Sequence, residues 1–171
     1  AGWFGSESSR TAATNAAYIT EIDTQLTAAD TGVNAKIETL DDEIKDLERV
    51  AQAEPTDADN LALASKQEER ELFKDQKANL LKKKAELLMS DARANQSFSW
   101  GYYDPQAKRI TAAAGNIRGI ITDNANADLS VRDRLELEQG ILDGYEDRLS
   151  SVKAGWFGSE SSRTAATNAA Y

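Results

Sequence analysis

Histidine and cysteine are both absent from this chain of 171 residues. Without cysteine there is no disulfide, no thiolate metal site and no cysteine nucleophile. Without histidine the commonest general base and metal ligand is missing. Proline occurs twice, methionine once, and aromatic residues make up 7% of the chain. So few helix breakers, among abundant Ala, Leu, Glu, Lys and Asp, favour long helices. So few large side chains leave a thin core of Ala, Leu, Ile and Val, which suits helices at close approach. Long apolar runs are lacking too, so no membrane insertion is expected. Positive charge is in deficit, with a net charge of −9. An acidic surface repels phosphate backbones and anionic lipid head groups, so nucleic acid is not an expected partner.

Motifs of chemistry are equally sparse. No Gly-x-Ser-x-Gly elbow, Walker loop or Rossmann glycine pattern occurs. The polar stretch with Asn124, Asn126 and Asp128 has the spacing of a calcium loop. However, Leu129 stands where the tight-turn Gly belongs and Leu135 where the bidentate Glu belongs, which excludes an EF-hand. Paired carboxylates such as Asp41 and Asp42 read as solvated helix faces, without the desolvation that acid–base work requires. The expectation is a protein that is not an enzyme and binds no cofactor or metal.

What the sequence does contain is a repeat. "AGWFGSESSRTAATNAAY" fills residues 1–18 and again 154–171, without a mismatch and at a spacing of 153 residues. Such identity reflects either a tandem array with that period or an engineered duplication. The array reading makes 1–153 one unit and 154–171 the start of the next. The period exceeds the ~20–50 residues of solenoid repeats, so each unit is large enough to hold its own core.

Within the unit, apolar spacing predicts three helices, over about 8–52, 57–95 and 105–153. The first carries a seam of Ile19, Ile22, Leu26, Ala29, Val33, Ile37, Leu40, Ile44, Leu47 and Ala51, in steps of three and four. Gly32 costs ~1 kcal/mol inside a helix, but the seam keeps its phase beyond it, which predicts a kink and not a turn. Pro55 ends this helix and Thr56 or Asp57 caps the next. The second seam uses Leu63, Phe73, Leu80, Leu81, Ala85, Leu88 and Ala92, widened by Leu72 and Leu87. Lys74, Lys77, Lys82, Lys83 and Lys84 form a basic face beside acidic neighbours. The third helix starts at Pro105, with a seam through Ile110, Ala114, Ile117, Ile121, Ala125, Asp128, Val131, Leu135, Glu138, Leu142, Tyr145, Leu149 and Val152. Ser130 and Asp133 resemble a capping box, yet the retained phase again favours continuity. Gly115/Gly119 and Gly140/Gly144 are each one turn apart and offer close approach to a neighbouring helix.

Short linkers make neighbouring helices antiparallel. The expected fold is an all-α, elongated up-down-up three-helix bundle, one unit of an end-to-end array. This layout resembles spectrin-type repeats, and the resemblance implies functions of spacing, elasticity and load bearing.

Two aromatic groups stand out. Trp3 and Phe4, with their copies Trp156 and Phe157, are expected to pack at the junction between units, since each forfeits roughly 2–3 kcal/mol if left in water. Phe98, Trp100, Tyr102 and Tyr103 crowd a loop around Gly101; they either plug one end of the bundle or contact a partner. The leading functional expectation is a structural repeat of a long surface or filament-forming protein, a spacer or fibre block that packs against neighbouring copies of itself. The alternative is an adhesin or ligand-binding module whose aromatic loop takes a protein or glycan. An extracellular or cell-surface setting is expected, with the cytoplasm as the alternative.

Overall fold

The computed structural model describes residues 7–94 and 103–154, and side chains over 13–93 and 107–146. All regular structure among them is helical. Five α-helices follow in order: α1 (Glu7–Thr27), α2 (Val33–Ala53), α3 (Asp57–Ala94), α4 (Tyr103–Thr122) and α5 (Val131–Ala154). A short 3-10 turn, Asn124–Asn126, lies between the last two. The helices divide into two packing units. One is Thr20–Leu81, and the other holds the described residues through Ile19 together with those from Lys82 onward.

In the first unit, Ile22, Leu26, Val33, Ile37, Leu40 and Ile44 are all buried, as the seam predicts, along with Ala78 and Leu81. The expected kink at Gly32 is corrected to a break. α1 ends at Thr27 and α2 starts at Val33. The intervening turn is closed by the Gly32 N–H donating to the Ala28 carbonyl at 2.9 Å. Gly32 has φ −68° and ψ 154°, extended backbone that ends the helical run. The chain folds so tightly here that a Cβ on Gly32 would lie 2.6 Å from the backbone N and O of Ala28. The helical phase survives because the core selects buried positions on both sides of the turn.

α2 ends where Pro55 follows its C-cap, Glu54. α3 is then capped by Thr56, whose Oγ1 accepts from the Asp59 N–H at 3.1 Å and donates to Asp59 Oδ2 at 2.6 Å. This reciprocal arrangement satisfies one of the orphan donors of the first turn. Glu43 pairs with Lys66 at 2.7 Å, Asp41 with Arg70, and the Lys36 ammonium sits 5.2 Å from the centre of the Phe73 ring. In these pairs one residue number rises as the other falls, so α2 and α3 run antiparallel.

The other unit has its most complete burial on α4. Ile110, Ala114 and Ile117 are 0% exposed, and Ala107, Ala113 and Ile120 are buried beside them. The second expected continuity, through 122–130, is also corrected. α4 packs on α5, and so short a connection between packed helices requires the chain to reverse. Three devices make the reversal. Asp123 Oδ1 accepts from the Ala125 N–H at 2.9 Å, and buried Asn126 donates its Nδ2 to the Ile120 carbonyl at 3.0 Å. Arg134 donates to the carbonyls of Leu129 and Ala127. Ser130 then caps α5, its Oγ accepting from the Asp133 N–H at 3.1 Å. The capping box is therefore the correct signal, and the retained phase is misleading.

The three-rod layout is thus replaced by five helices. Lys82 of α3 meets Asp133 and Glu136 of α5, and Met89 further along α3 meets Gly144 further along α5. α3 and α5 therefore run parallel, with α4 reversed between them in sequence.

The glycine pairs separate. A Cβ on Gly144 would overlap the Met89 side chain, whereas one on Gly115, Gly119 or Gly140 meets nothing within 4 Å. Close approach thus holds for Gly144 alone among the four. Gly115→Ala and Gly119→Ala should each raise stability by about 0.5–1 kcal/mol, because alanine restricts the unfolded chain and nothing obstructs its methyl. Thermal melts of the two variants and their combination check this.

Candidate interaction surface

Trp3, Phe4, Phe98, Trp100, Tyr102, Trp156 and Phe157 lie outside the described residues. Tyr103 opens α4, with its side chain outside the described set. The surfaces that can be built from residues upward are those on α3 and α5.

Among the described side chains of α5, the buried positions are Leu137, Ile141 and Gly144. The expected seam residues Val131, Leu135 and Leu142 are instead 74%, 60% and 55% exposed. They stand four and seven residues apart, so they form one stripe on the outer side of the helix. Both stripes have helical spacing, and the chain buries the one that periodicity does not select. The inner stripe brings Asp133 toward Lys82 and sets Gly144 against Met89.

On α3, Leu61 and Leu72 are 75% and 70% exposed. They are eleven residues apart, which is three turns, so they too share a face. The expected inward position of Leu72 is corrected accordingly. Ala64, Gln67, Glu68, Glu71, Leu72 and Asp75 line a shallow open groove along this face. Its lining mixes two apolar residues, Ala64 and Leu72, with three carboxylates, Glu68, Glu71 and Asp75.

The lysines expected on the outside of α3 are partly engaged. Lys77 is buried, at 5% exposed. Lys82 bridges Asp133 and Glu136, each at 2.6 Å. These bonds raise the Lys82 pKa above its ordinary value. For Asp133, burial pushes the carboxyl up, but bonds from Lys82 and Ser130 together outweigh it and leave it below the usual range. Glu136 is also held low, by Lys82 first, against some burial, and with help from Arg132.

The pH dependence follows from these directions. The depressed carboxylates contribute stability above their ordinary pKa of about 4, lost as pH falls through their lower folded values. The raised Lys82 contributes below its ordinary pKa of about 10.4, lost as pH rises through its higher folded value. Lys82→Met should therefore melt below the parent at neutral pH, with the difference shrinking below about pH 4. Melting temperatures measured from pH 2 to 8 test that convergence.

Among the described residues, no helix is long and apolar enough to cross a membrane, and no group of three or more acidic ligands is placed to hold a metal ion. What the described surface offers is contact area: two apolar stripes with charge alongside. Of the residues that form them, Leu72, Val131, Leu135 and Leu142 are ones that periodicity assigns to the core. No family model matches the chain, and no curated protein or solved structure is similar to it.

Proposed function

We propose that this chain is a structural unit of a tandem array, a rod-like spacer or fibre block that works by its length and by packing end to end with copies of itself. The setting we infer is extracellular or at a cell surface. One observation carries the reading: 18 residues recur without change after 153 positions. A second copy of the sequence that enters α1 is what a following unit would need in order to begin. Trp3, Phe4, Trp156 and Phe157 then sit at the joints between units, where neighbouring copies bury them. The exposed stripes on α3 and α5 add area for lateral contact between copies.

Solution scattering on one period and on two periods in tandem tests the proposal. An elongated particle whose maximum dimension roughly doubles with the second period is the expected result. A compact particle whose dimension barely grows would overturn it. The four aromatics within residues 98–103 favour a second reading, a module that binds a protein or glycan. On that reading Trp100→Ala with Tyr102→Ala abolishes binding in a glycan or protein array while the melting temperature is little changed.

A further inference from the structure

α5 carries two apolar stripes and uses only one of them inside its own unit. The inner one, Leu137, Ile141 and Gly144, is buried. The outer one runs through Val131, Leu135, Glu138, Leu142 and Tyr145, in steps of four, three, four and three. That is heptad spacing, the pattern of a coiled-coil seam. At 3.6 residues per turn the two stripes are centred roughly a third of a turn apart. The outer one is therefore not the margin of the inner. Its first four members are exposed and Tyr145 is half-buried.

Two features of the outer stripe specify what fits it. The first is Glu138, between Leu135 and Leu142. A parallel copy of α5 in register would set Glu138 against itself, and like charges face to face repel. An antiparallel copy sets Leu135 opposite the partner's Tyr145, and Glu138 opposite the partner's Leu142. The second feature is the flank that faces away from the buried stripe. Arg132, Gln139 and Glu146 follow there at steps of seven, all exposed. Turning the helix end for end about Gln139 brings each Arg132 beside a Glu146. The flank is complementary to its own reverse, and charges at such flanking positions set the orientation of a coiled coil. Arg132 donates through Nε to Glu136 of its own helix at 3.2 Å, and it still carries two further nitrogens.

We propose that the outer stripe of α5 binds the same stripe of a second copy, antiparallel and centred on Gln139. This rests on the self-association proposed above and gives its lateral contact a face and a direction. The contact is isologous, so it closes as a pair. Glu138 loses water against the partner's Leu142 without gaining an opposite charge, which keeps the pair weak.

The chain has no cysteine, so one introduced thiol reports on one position. Gln139→Cys should give a disulfide-linked dimer under mild oxidation, because the two-fold axis brings position 139 beside itself. Leu135→Cys should not, since it lies more than about 10 Å along the axis from its own copy. In sedimentation velocity on the full chain, Glu138→Leu should tighten association roughly tenfold or more. Within that variant, Leu142→Lys should abolish association. Arg132→Glu should weaken it about threefold, and adding Glu146→Arg should restore it with the charges exchanged. Leu142 and the charged pair are exposed, so thermal melts by circular dichroism should stay near the parent's. Three results would each overturn the pairing: no dimer of Glu138→Leu at about millimolar chain, crosslinking through Leu135→Cys in place of Gln139→Cys, or loss of association on Leu72→Lys but not Leu142→Lys. None of them alters the doubling of length in scattering, so the spacer reading stands or falls separately.

Discussion

Replacing Ile117 with Ala should lower unfolding stability by about 3–4 kcal/mol, within the range for deleting a buried branched side chain and leaving a cavity. Ile117 is 0% exposed at the core of α4, with Ile110 and Ala114 equally enclosed. Helix backbones fixed by their own hydrogen bonds collapse poorly into a void, so the cavity term persists. Ile117→Val, which removes one methylene, should cost about 0.5–1.5 kcal/mol. The same denaturant titration distinguishes the two apolar stripes of α5. Leu137, 2% exposed, should behave like Ile117 when changed to Ala, whereas Leu135, 60% exposed, should lose less than about 0.5 kcal/mol. A large loss at Leu135 with a small one at Leu137 would reverse the register of α5.

Gly32→Ala is the second substitution with a large expected effect, a loss of about 2–3 kcal/mol, the scale of a forced overlap in a packed site. The backbone angles at Gly32 suit any L-residue, so dihedral strain is not the cause. Space is. The added methyl would meet the Ala28 backbone N and O at 2.6 Å and the Leu26 carbonyl at 2.8 Å. None of these is a side chain that can swing away, so the turn itself must open. Hydrogen exchange should then rise through the Thr20–Leu81 unit, beginning at the Gly32 amide, which donates to the Ala28 carbonyl. The contrast with Gly115 and Gly119 is informative: the same chemical change is expected to stabilise there and destabilise at Gly32. The sign is set by what surrounds the new methyl group.

Much of the helical content is legible in the residues. Pro55 and Thr56 mark the α2–α3 junction because a missing N–H and a capping hydroxyl are local chemistry. The seam from Ile22 to Ile44 is legible because one face is apolar and the other strongly charged. The breaks at Gly32 and at 123–130 are less so. Spacing of three and four persists across a turn whenever both flanking helices bury a face, so phase alone does not tell a through-going helix from a reversal. The cues that do distinguish them are short-range, Ser130 with Asp133 and Asn126 with Asp123. The aromatic groups at 3–4, 98–103 and 156–157 belong to the functional proposal on sequence grounds.

What the sequence by itself determined was helix and its stop at Pro55: composition with few breakers, apolar residues three and four apart, and a capping hydroxyl at Thr56 whose partner lies within the same turn. The tertiary structure decided which of two apolar stripes on α5 turns inward, which lysine is enclosed, and which glycine is crowded. The reason is that helix formation is satisfied by bonds within a few residues. The choice of buried face depends instead on partners far along the chain, such as Lys82 for Asp133 and Met89 for Gly144, which no local pattern specifies.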